Sequence, residues 1–267
     1  MKNATAPVLG AGTIGAREAV ERALAGNVQL VDATWVMPED EAGLRGALPG
    51  TAAVLPTHDI KAIAVADRTP ERLADLFRAA GMTTLLPIAV YDRAGLFSAA
   101  WGWWMLQECG YTSHIVQGWT EEGAAPAPSA GDWEPFVVRP AHAQSATLED
   151  VLKVGAQVVD ARGPGRFQGT EPEPRPDLRG GHIPGSTNVP YHSLKEGDRF
   201  LAPAELFDLF TGAGLDLQKP LITTCGSGVT ASALAFCLAR AGAPDVRVYM
   251  GSWAEYGASD HPVETGP

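Results

Sequence analysis

The amino-acid sequence predicts an α/β protein with two tandem domains of the same kind, each a parallel sheet with helices on both faces. Two observations lead to this fold class: short apolar runs alternate with helical segments, and one half of the chain repeats the other in diverged form. Parallel strands need long crossover connections, which are usually helices, so the alternation is typical of a parallel sheet. The repeat then predicts two such sheets.

The repeat is visible in pairs of segments that lie between 128 and 135 residues apart. A chance match would not keep this spacing through several motifs. The matching segments are 28–33 with 156–161, 46–51 with 181–186, 76–81 with 209–214, and 118–124 with 251–258. Between the copies lies a stretch rich in Ala, Pro and Gly, which is the composition of a linker. We therefore predict one domain at residues 1–124, a linker at 125–145 and a second domain at 146–267.

The second copy shows the order of elements most clearly. A β-rich run ending in an aspartate opens it, and a helix with a proline in its first turn follows, where the missing N–H costs nothing. The predicted elements are a strand at 157–160, a helix at 203–210, a strand at 220–224, a helix at 231–240 and a strand at 246–249. Because sites of such sheets lie at the carboxyl ends of strands, the loop after the strand at 220–224 is the first candidate.

That loop begins with Cys225, which stands at a strand-to-helix junction. Several backbone N–H groups lack an intrahelical partner there, and the positive end of the helix dipole favours thiolate over thiol. The thiolate is the nucleophilic form of cysteine. Gly226 and Gly228 let the loop curl so that its amides point inward and form a nest for an anion. Cys225 is therefore predicted to be an activated nucleophile inside an anion cradle.

A buried core position is the alternative for Cys225, since buried cysteines are common. Small polar neighbours and the lack of apolar periodicity favour the nucleophile here, whereas Cys109 and Cys237 lie in apolar helical segments and are predicted to be core residues. Cysteine phosphatases need an arginine after five intervening residues to clamp phosphate. Ala231 stands at that position, which disfavours hydrolysis of phosphate monoesters.

Composition limits the setting in which this thiol works. A content of 45% hydrophobic and 19% charged residues is typical of a soluble globular protein, and no apolar run is long enough to span a membrane. No secretory signal is recognisable, and three cysteines do not form a disulfide framework, so we expect a cytoplasmic protein. The net charge of −11 argues against nucleic acid as a partner and means that an anionic substrate needs a local cluster of cations.

The first copy differs from the second at the decisive position. An offset of 133 residues places Asp92 where the second copy has Cys225. A carboxylate cannot carry sulfur as a thiolate can. The N-terminal copy is therefore predicted to be non-catalytic and to supply a wall of the cleft.

Over nearly its whole length the chain resembles the tandem rhodanese-type sulfurtransferases, and within them it is most similar to the 3-mercaptopyruvate branch. The resemblance rests on several motifs in the order of that family. They are 160–167, 169–175, 181–185, the Cys-Gly-Ser-Gly-Val-Thr loop at 225–230, and 251–253 with 262–264. It implies two rhodanese-like domains. We expect no cofactor and no metal ion.

The resemblance implies a double displacement, in which one transfer is split into two easier ones. The Cys225 thiolate takes the sulfane sulfur of 3-mercaptopyruvate, forming a persulfide and releasing pyruvate. An acceptor then removes the sulfur: cyanide in an assay, and a thiol or thioredoxin in the cell. The loop amides would stabilise negative charge on the persulfide and the enolate. Ser227 would donate a hydrogen bond to the substrate or persulfide, with capping of the next helix or closing of the turn as its alternative role.

The resemblance also assigns the substrate-binding residues. Arg166 and Arg175 would hold the carboxylate and keto oxygens of the donor, since the arginine fork suits a planar carboxylate. The loop residues expected to line the substrate are Gly226, Gly228, Val229 and Thr230. The alternative is that the arginines are surface charges or form ion pairs with Glu171, Glu173 or Asp177. Arg162 is expected to be a structural ion-pair residue.

The loop also favours one donor over another. Thiosulfate-preferring rhodaneses typically place Arg and Lys directly after the cysteine, whereas this chain has Gly226 and Ser227. A monoanionic keto acid fits the missing charge better than a dianion. A thiosulfate-preferring enzyme and a non-catalytic persulfide carrier remain the alternatives.

Departures from the family pattern lie in the first copy. His58 and Asp59 are the nearest substitutes for a histidine and an aspartate that are thought to assist the loop serine. Trp101 stands where an arginine is usual before paired tryptophans. We therefore expect an altered domain interface, with an effect on donor preference or rate.

Overall fold

The computed structural model describes residues 9–48, 51–119, 134–153 and 155–267. The chain divides into two compact units, here called the N-terminal and the C-terminal unit. The first comprises Gly10–Ala143 with Gly197–Arg199, and the second consists mainly of Gln144–Glu196 and Phe200–Pro267. Much of the predicted linker lies outside the described residues, so the predicted domain boundaries stay a prediction.

The N-terminal unit contains a five-stranded sheet in the order β1-β5-β4-β2-β3, in which all neighbours pair in parallel. Its strands are β1 (Ala11–Gly15), β2 (Gln29–Asp32), β3 (Thr51–Val54), β4 (Ile88–Tyr91) and β5 (Ser113–Gln117). Its helices are α1 (Ala16–Leu24), α2 (Thr57–Ala62), α3 (Pro70–Ala79) and α4 (Ala99–Glu108), with 3-10 turns at Pro38–Gly43 and Val65–Asp67. Every residue of β2 and β4 is buried, as expected for strands covered on both faces.

The C-terminal unit contains a four-stranded parallel sheet in the order β11-β10-β6-β7. Its strands are β6 (Gln157–Asp160), β7 (Thr187–Asn188), β10 (Leu221–Thr224) and β11 (Val246–Val248), and a separate two-stranded sheet is formed by β8 (Lys195–Glu196) and β9 (Arg199–Phe200). Its helices are α5 (Leu148–Leu152), α6 (Pro164–Gln168), α7 (Pro203–Gly212), α8 (Val229–Arg240) and α9 (Ser252–Tyr256), with a 3-10 turn at Tyr191–Leu194.

These two sheets confirm the predicted fold class. The order β5-β4-β2-β3 in the first unit corresponds strand by strand to β11-β10-β6-β7 in the second. The one addition in the first unit is β1, which pairs with β5 at the sheet edge. At the corresponding edge of the second unit, Ala146 forms a single parallel bridge with Tyr249. The duplication read from the sequence is thus a duplication of topology.

Helices α4 and α8 follow corresponding strands and are apolar on all sides. Nine residues of α4 and nine of α8 are buried, because each helix is enclosed by other elements of its unit. Helix α8 begins at Val229, two residues earlier than predicted. The reason is that the polar loop pattern ends at Thr230, whereas the backbone turns helical directly after Gly228, whose φ is +88°. Within the described part of the chain, no helix has the length and apolar character to cross a membrane.

Candidate active site

Cys225 lies directly after β10, a strand with neighbours on both sides in the four-stranded sheet. Its residue surface is 2% exposed. The backbone N–H groups of Ser227 and Gly228 point at its Sγ, with N–S distances of 3.4 and 3.1 Å. Both donors stabilise negative charge on the sulfur. The loop therefore has the geometry of the anion cradle that its sequence predicted.

Gly228 is required for this geometry. It has a left-handed φ of +88°, and a Cβ there would lie 3.0 Å from the carbonyl oxygen of Met250. It is also the residue that precedes α8, so Ser227 does not occupy the helix cap. The capping alternative for Ser227 is therefore wrong, and its closing of the turn stays a prediction. Ser227 and Thr230 are half-buried, whereas Val229 is buried in the first turn of the helix.

A second turn of the chain contacts the cysteine from the other side. The Ser252 Oγ accepts a hydrogen bond from the Cys225 N–H at 3.2 Å, donates one to the Tyr249 carbonyl at 2.7 Å, and lies 4.0 Å from the Cys225 Sγ. Ser252 is fully buried and has a φ of +49°, an uncommon conformation for a residue with a side chain. The Trp253 N–H donates to the Cys225 carbonyl at 2.9 Å. Sequence reasoning used Gly251-Ser252-Trp253 only as a family motif and missed this contact.

The other two cysteines lack such an environment. All three are free, and all three are buried. Burial raises the pKa of Cys109 to about 12 and also raises the pKa of Cys237, so both remain thiols at neutral pH. Cys237 lies within the buried helix α8, and Cys109 is the C-cap residue of α4. The polar cradle at Cys225 distinguishes it from both.

Arg166, in the short helix α6, reaches the cysteine loop. Its Nη2 lies 2.9 Å from the position that a Cβ on Gly226 would take, so a side chain at position 226 would displace the guanidinium from this position. The same guanidinium also pairs with Glu173, through Nε at 3.2 Å and Nη2 at 2.5 Å from Oε2. The ion pair given as the alternative is therefore present, with Glu173 as the partner, and the substrate contact of Arg166 stays a prediction. The side chain stays 27% exposed.

Arg162 is the structural ion-pair residue that the sequence suggested. Its side chain is fully buried between Asp160 and Glu173, with closest N–O distances of 2.7 Å to each. Its guanidinium lies over the ring of Trp253, at 4.2 Å from the centroid. Although burial alone would lower the pKa of Arg162, its two carboxylate partners raise it.

Arg175 behaves differently from Arg166. It lies in an exposed segment, and its guanidinium makes no hydrogen bond or ion pair with any residue that the structure describes. Its role in substrate binding stays a prediction.

In the N-terminal unit, Asp92 follows β4 as Cys225 follows β10. Its buried carboxylate accepts four backbone N–H bonds of 2.7 to 3.0 Å. The donors are Ala94, Leu96, Ser98 and Ala99. Burial raises the pKa of Asp92, and the four N–H groups act against that shift. The four N–H groups of this loop are therefore occupied by the carboxylate of Asp92.

The altered positions of the first copy lie in two places of the N-terminal unit. His58 and Asp59 line a cavity of about 350 Å³ at the carboxyl ends of β2 and β3. Trp101 is fully buried, with Lys61 Nζ at 5.4 Å and the Arg68 guanidinium at 5.9 Å from its ring. Among the residues with described positions, no group of three or more His, Cys, Asp or Glu side chains could hold a metal ion.

Comparison with known proteins gives three consistent results. The family model of the rhodanese-like domain matches residues 145–259. The 3-mercaptopyruvate sulfurtransferase of Escherichia coli K12 is 35% identical, covering 89% of this chain and 92% of its own length. The thiosulfate sulfurtransferase of Cricetulus griseus is 36% identical, covering 68% and 67%.

Among solved structures, this chain is similar to the crystal structure of SseA from Escherichia coli, a 3-mercaptopyruvate sulfotransferase with the rhodanese fold. It superimposes with a TM-score of 0.71 at 32% identity, covering 90% of this chain and 98% of its own.

Proposed function

Because this chain belongs to the rhodanese-type sulfurtransferase family, we propose that it moves sulfane sulfur from 3-mercaptopyruvate to a thiol acceptor through a persulfide on Cys225. The named relatives show that the chain is a sulfurtransferase enzyme. What we propose is the identity of the sulfur donor, the intermediate and the acceptor. The observation that carries it is the pair of N–H groups aimed at the Cys225 Sγ.

The first half-reaction forms the persulfide. The Cys225 thiolate attacks the sulfur of 3-mercaptopyruvate, a new S–S bond forms, and the C–S electron pair passes to the carbon as a pyruvate enolate. The enolate carbon takes a proton, which balances the proton that the sulfur gives up, and pyruvate leaves. The N–H groups of Ser227 and Gly228 stabilise the negative charge on the sulfur before attack and on the persulfide afterwards.

The second half-reaction discharges the persulfide. An acceptor thiolate attacks the outer sulfur, the S–S bond breaks, and its electron pair returns to Cys225 as thiolate. With cyanide as acceptor the product is thiocyanate. Thioredoxin or a small cellular thiol is the acceptor that we propose in the cytoplasm, where a free catalytic cysteine is kept reduced.

Arg166 is the cation that we propose for the donor carboxylate. It is partly exposed, and it approaches the loop at Gly226, so its charge lies beside the nucleophile. An acidic protein needs such a local cation to hold an anionic substrate. Arg175 would bind the same donor from the exposed segment, and Ser227 would donate a hydrogen bond to the bound sulfur.

Thiosulfate is the second candidate donor, because one relative at 36% identity is a thiosulfate sulfurtransferase. A dianion would gain from additional positive charge in the loop, but positions 226 and 227 are Gly and Ser. The space next to Gly226 is already filled by the Arg166 guanidinium. These features favour the keto acid.

A donor panel with cyanide as acceptor tests the proposal. We expect thiocyanate formation to be faster with 3-mercaptopyruvate than with thiosulfate, and pyruvate to appear in equal amount. The variant Cys225→Ser should form neither product. A wide preference for thiosulfate would overturn the donor assignment, and full turnover by Cys225→Ser would overturn the persulfide mechanism.

A further inference from the structure

Glu173 is a buried carboxylate in an otherwise exposed stretch of the C-terminal unit. Its side chain is 1% exposed, although its neighbours at 170–172 and 174–177 are all exposed. A charge is buried in this way only when it is paired and hydrogen-bonded. Its two oxygens go to different partners: Oε1 accepts from Arg162 Nη1 at 2.7 Å, and Oε2 accepts from Arg166. The carboxylate therefore links a buried arginine to the arginine beside the cysteine loop.

The buried end of this link is fixed. Arg162 Nε bonds both oxygens of Asp160 at 3.2 and 3.0 Å, and its Nη2 bonds Asp160 at 2.7 Å and the Gly181 carbonyl at 2.8 Å. With Nη1 on Glu173, each of its three nitrogens has a partner. The ring of Trp253 covers one face of the guanidinium. Glu173 is therefore held by a buried guanidinium whose three nitrogens are all hydrogen-bonded.

The exposed end of the link orients Arg166. Its Nε and Nη2 both face Glu173 Oε2, so one edge of the planar guanidinium is taken. The Nη1 atom makes no hydrogen bond with any described residue and belongs to the opposite end of the fork. Because Nη1 lies 3.8 Å from the position that a Cβ on Gly226 would take, this free end of the fork also lies next to the loop of Cys225. A carboxylate can then bind Arg166 at this free end.

We propose that Glu173 is a positioning residue for the anionic sulfur donor, acting by holding Arg166 against the Cys225 loop. This inference rests on the proposed function, since it assumes that Arg166 binds the donor.

A purely electrostatic role for Glu173 and a positioning role predict opposite changes in donor binding when Glu173 is neutralised. The four groups Asp160, Arg162, Glu173 and Arg166 have formal charges that sum to zero, so neutralising Glu173 leaves a net positive cluster. If charge alone mattered, Glu173→Gln would bind an anionic donor more tightly. If orientation matters, the same variant binds it more weakly, because long arginine side chains lose rotamer freedom only when a partner fixes them. The sign of the change in KM therefore separates the two.

The experiment compares Glu173→Gln with Glu171→Gln, a matched loss of charge at an exposed residue of the same segment. With 3-mercaptopyruvate, Glu173→Gln should lower kcat/KM about tenfold through a higher KM, the size of effect expected for one charge-assisted contact. Discharge of a preformed Cys225 persulfide by cyanide should stay within about twofold of the unmodified protein, since Arg166 binds the donor. Glu171→Gln should match the unmodified protein in both steps.

A double-mutant cycle shows whether Glu173 acts through Arg166. In an Arg166→Ala background, Glu173→Gln should have little further effect on kcat/KM, because the group that it positions is gone. If Glu173→Gln does not fold, Glu173→Asp decides, because it keeps Arg162 paired while withdrawing the carboxylate from Arg166. Unchanged kinetics in a folded Glu173 variant, a lower KM, or full additivity with Arg166→Ala would overturn the inference. Absence of donor turnover in the unmodified protein would instead overturn the proposed function.

Discussion

The two units have corresponding loops at corresponding places in their two sheets, and a different side chain lies in each loop. In the C-terminal unit, two backbone N–H groups point at the Cys225 sulfur. In the N-terminal unit, four N–H groups point at the Asp92 carboxylate. Both loops have the geometry of anion cradles, but only one holds a cysteine. The comparison teaches that the same fold supplies the cradle in both units and that the side chain inside it differs.

An ion pair has also changed its members between the units. The strand-ending aspartates Asp32 and Asp160 each accept the N–H of the residue two positions further on, at 2.9 Å. In the C-terminal unit that residue is Arg162, which neutralises Asp160. In the N-terminal unit it is Thr34, and the cation comes from Arg93, 3.2 Å from Asp32. The pair at the strand end is kept while its arginine comes from a different loop.

The two units also differ in the residue that directly follows Asp92 or Cys225 in the loop. Arg93 and Gly226 occupy corresponding loop positions, directly after Asp92 and Cys225. In the N-terminal unit the loop itself provides the arginine. In the C-terminal unit the corresponding residue, Gly226, has no side chain, and the Arg166 guanidinium from α6 lies beside it instead. The loop of Cys225 therefore receives its positive charge from a side chain of another element, α6.

The largest effect is expected at the nucleophile. Cys225→Ser should lower turnover at least about 10³-fold, because a serine hydroxyl is not ionised in a cradle suited to a thiolate. Asp92→Cys, which places a thiol in the N-terminal loop, should have no sulfur transfer of its own in a Cys225→Ser background, since Arg93, the arginine of that loop, is paired with Asp32. Steady-state thiocyanate formation measures both. Activity restored by Asp92→Cys would show that the two loops are equivalent.

The next effect concerns stability and should be larger in the first unit. Asp92→Ala leaves four buried N–H groups without an acceptor, and it should lower the free energy of unfolding by about 3 kcal/mol or more. Cys225→Ala removes a weak acceptor of two N–H groups and should cost about 1 kcal/mol. Urea denaturation followed by circular dichroism compares them. Equal losses would mean that the carboxylate does not hold its loop together.

Arg166 is expected to affect donor use rather than folding. Arg166→Ala removes a charge-assisted contact worth about 1.5–3 kcal/mol, so kcat/KM with 3-mercaptopyruvate should fall by roughly one to two decades. Arg166→Lys should restore only part of this loss, because lysine lacks the planar fork. An unfolded Arg166→Ala protein would make the residue structural. A folded variant with normal kinetics would transfer the assignment to Arg175.

The smallest effect is expected for a change in donor preference, from 3-mercaptopyruvate toward thiosulfate, when positive charge is added to the cysteine loop. Replacing Gly226 with Arg and Ser227 with Lys should lower kcat/KM for 3-mercaptopyruvate about tenfold, because a side chain at 226 meets the Arg166 guanidinium. The relative rate with thiosulfate should rise, because the added cations suit a dianion. A comparison of the two donors measures this. If the ratio does not move, the neutral loop does not determine donor choice.

The sequence predicted the features that depend on local pattern. The alternation of elements and the repeat predicted both sheets, and the glycines around Cys225 predicted the cradle. Ser252 could not be predicted, because its contact with Cys225 joins residues 27 positions apart and depends on how a second turn packs. Glu173 was foreseen only as a possible ion-pair partner of the arginines, since a sequence does not show that one carboxylate is buried between two of them. Asp92 was located, but its four hydrogen bonds depend on the path of the following loop.

The central claim is that the C-terminal cradle alone holds the transferred sulfur. The most direct measurement is mass spectrometry of the protein after stoichiometric treatment with 3-mercaptopyruvate, followed by digestion and mapping of the cysteine-containing peptides. We predict the mass of one additional sulfur atom on the peptide with Cys225, its loss on addition of cyanide, and no change on the peptides with Cys109 or Cys237. Sulfur on either of those peptides, or turnover without any sulfur on Cys225, would contradict the account.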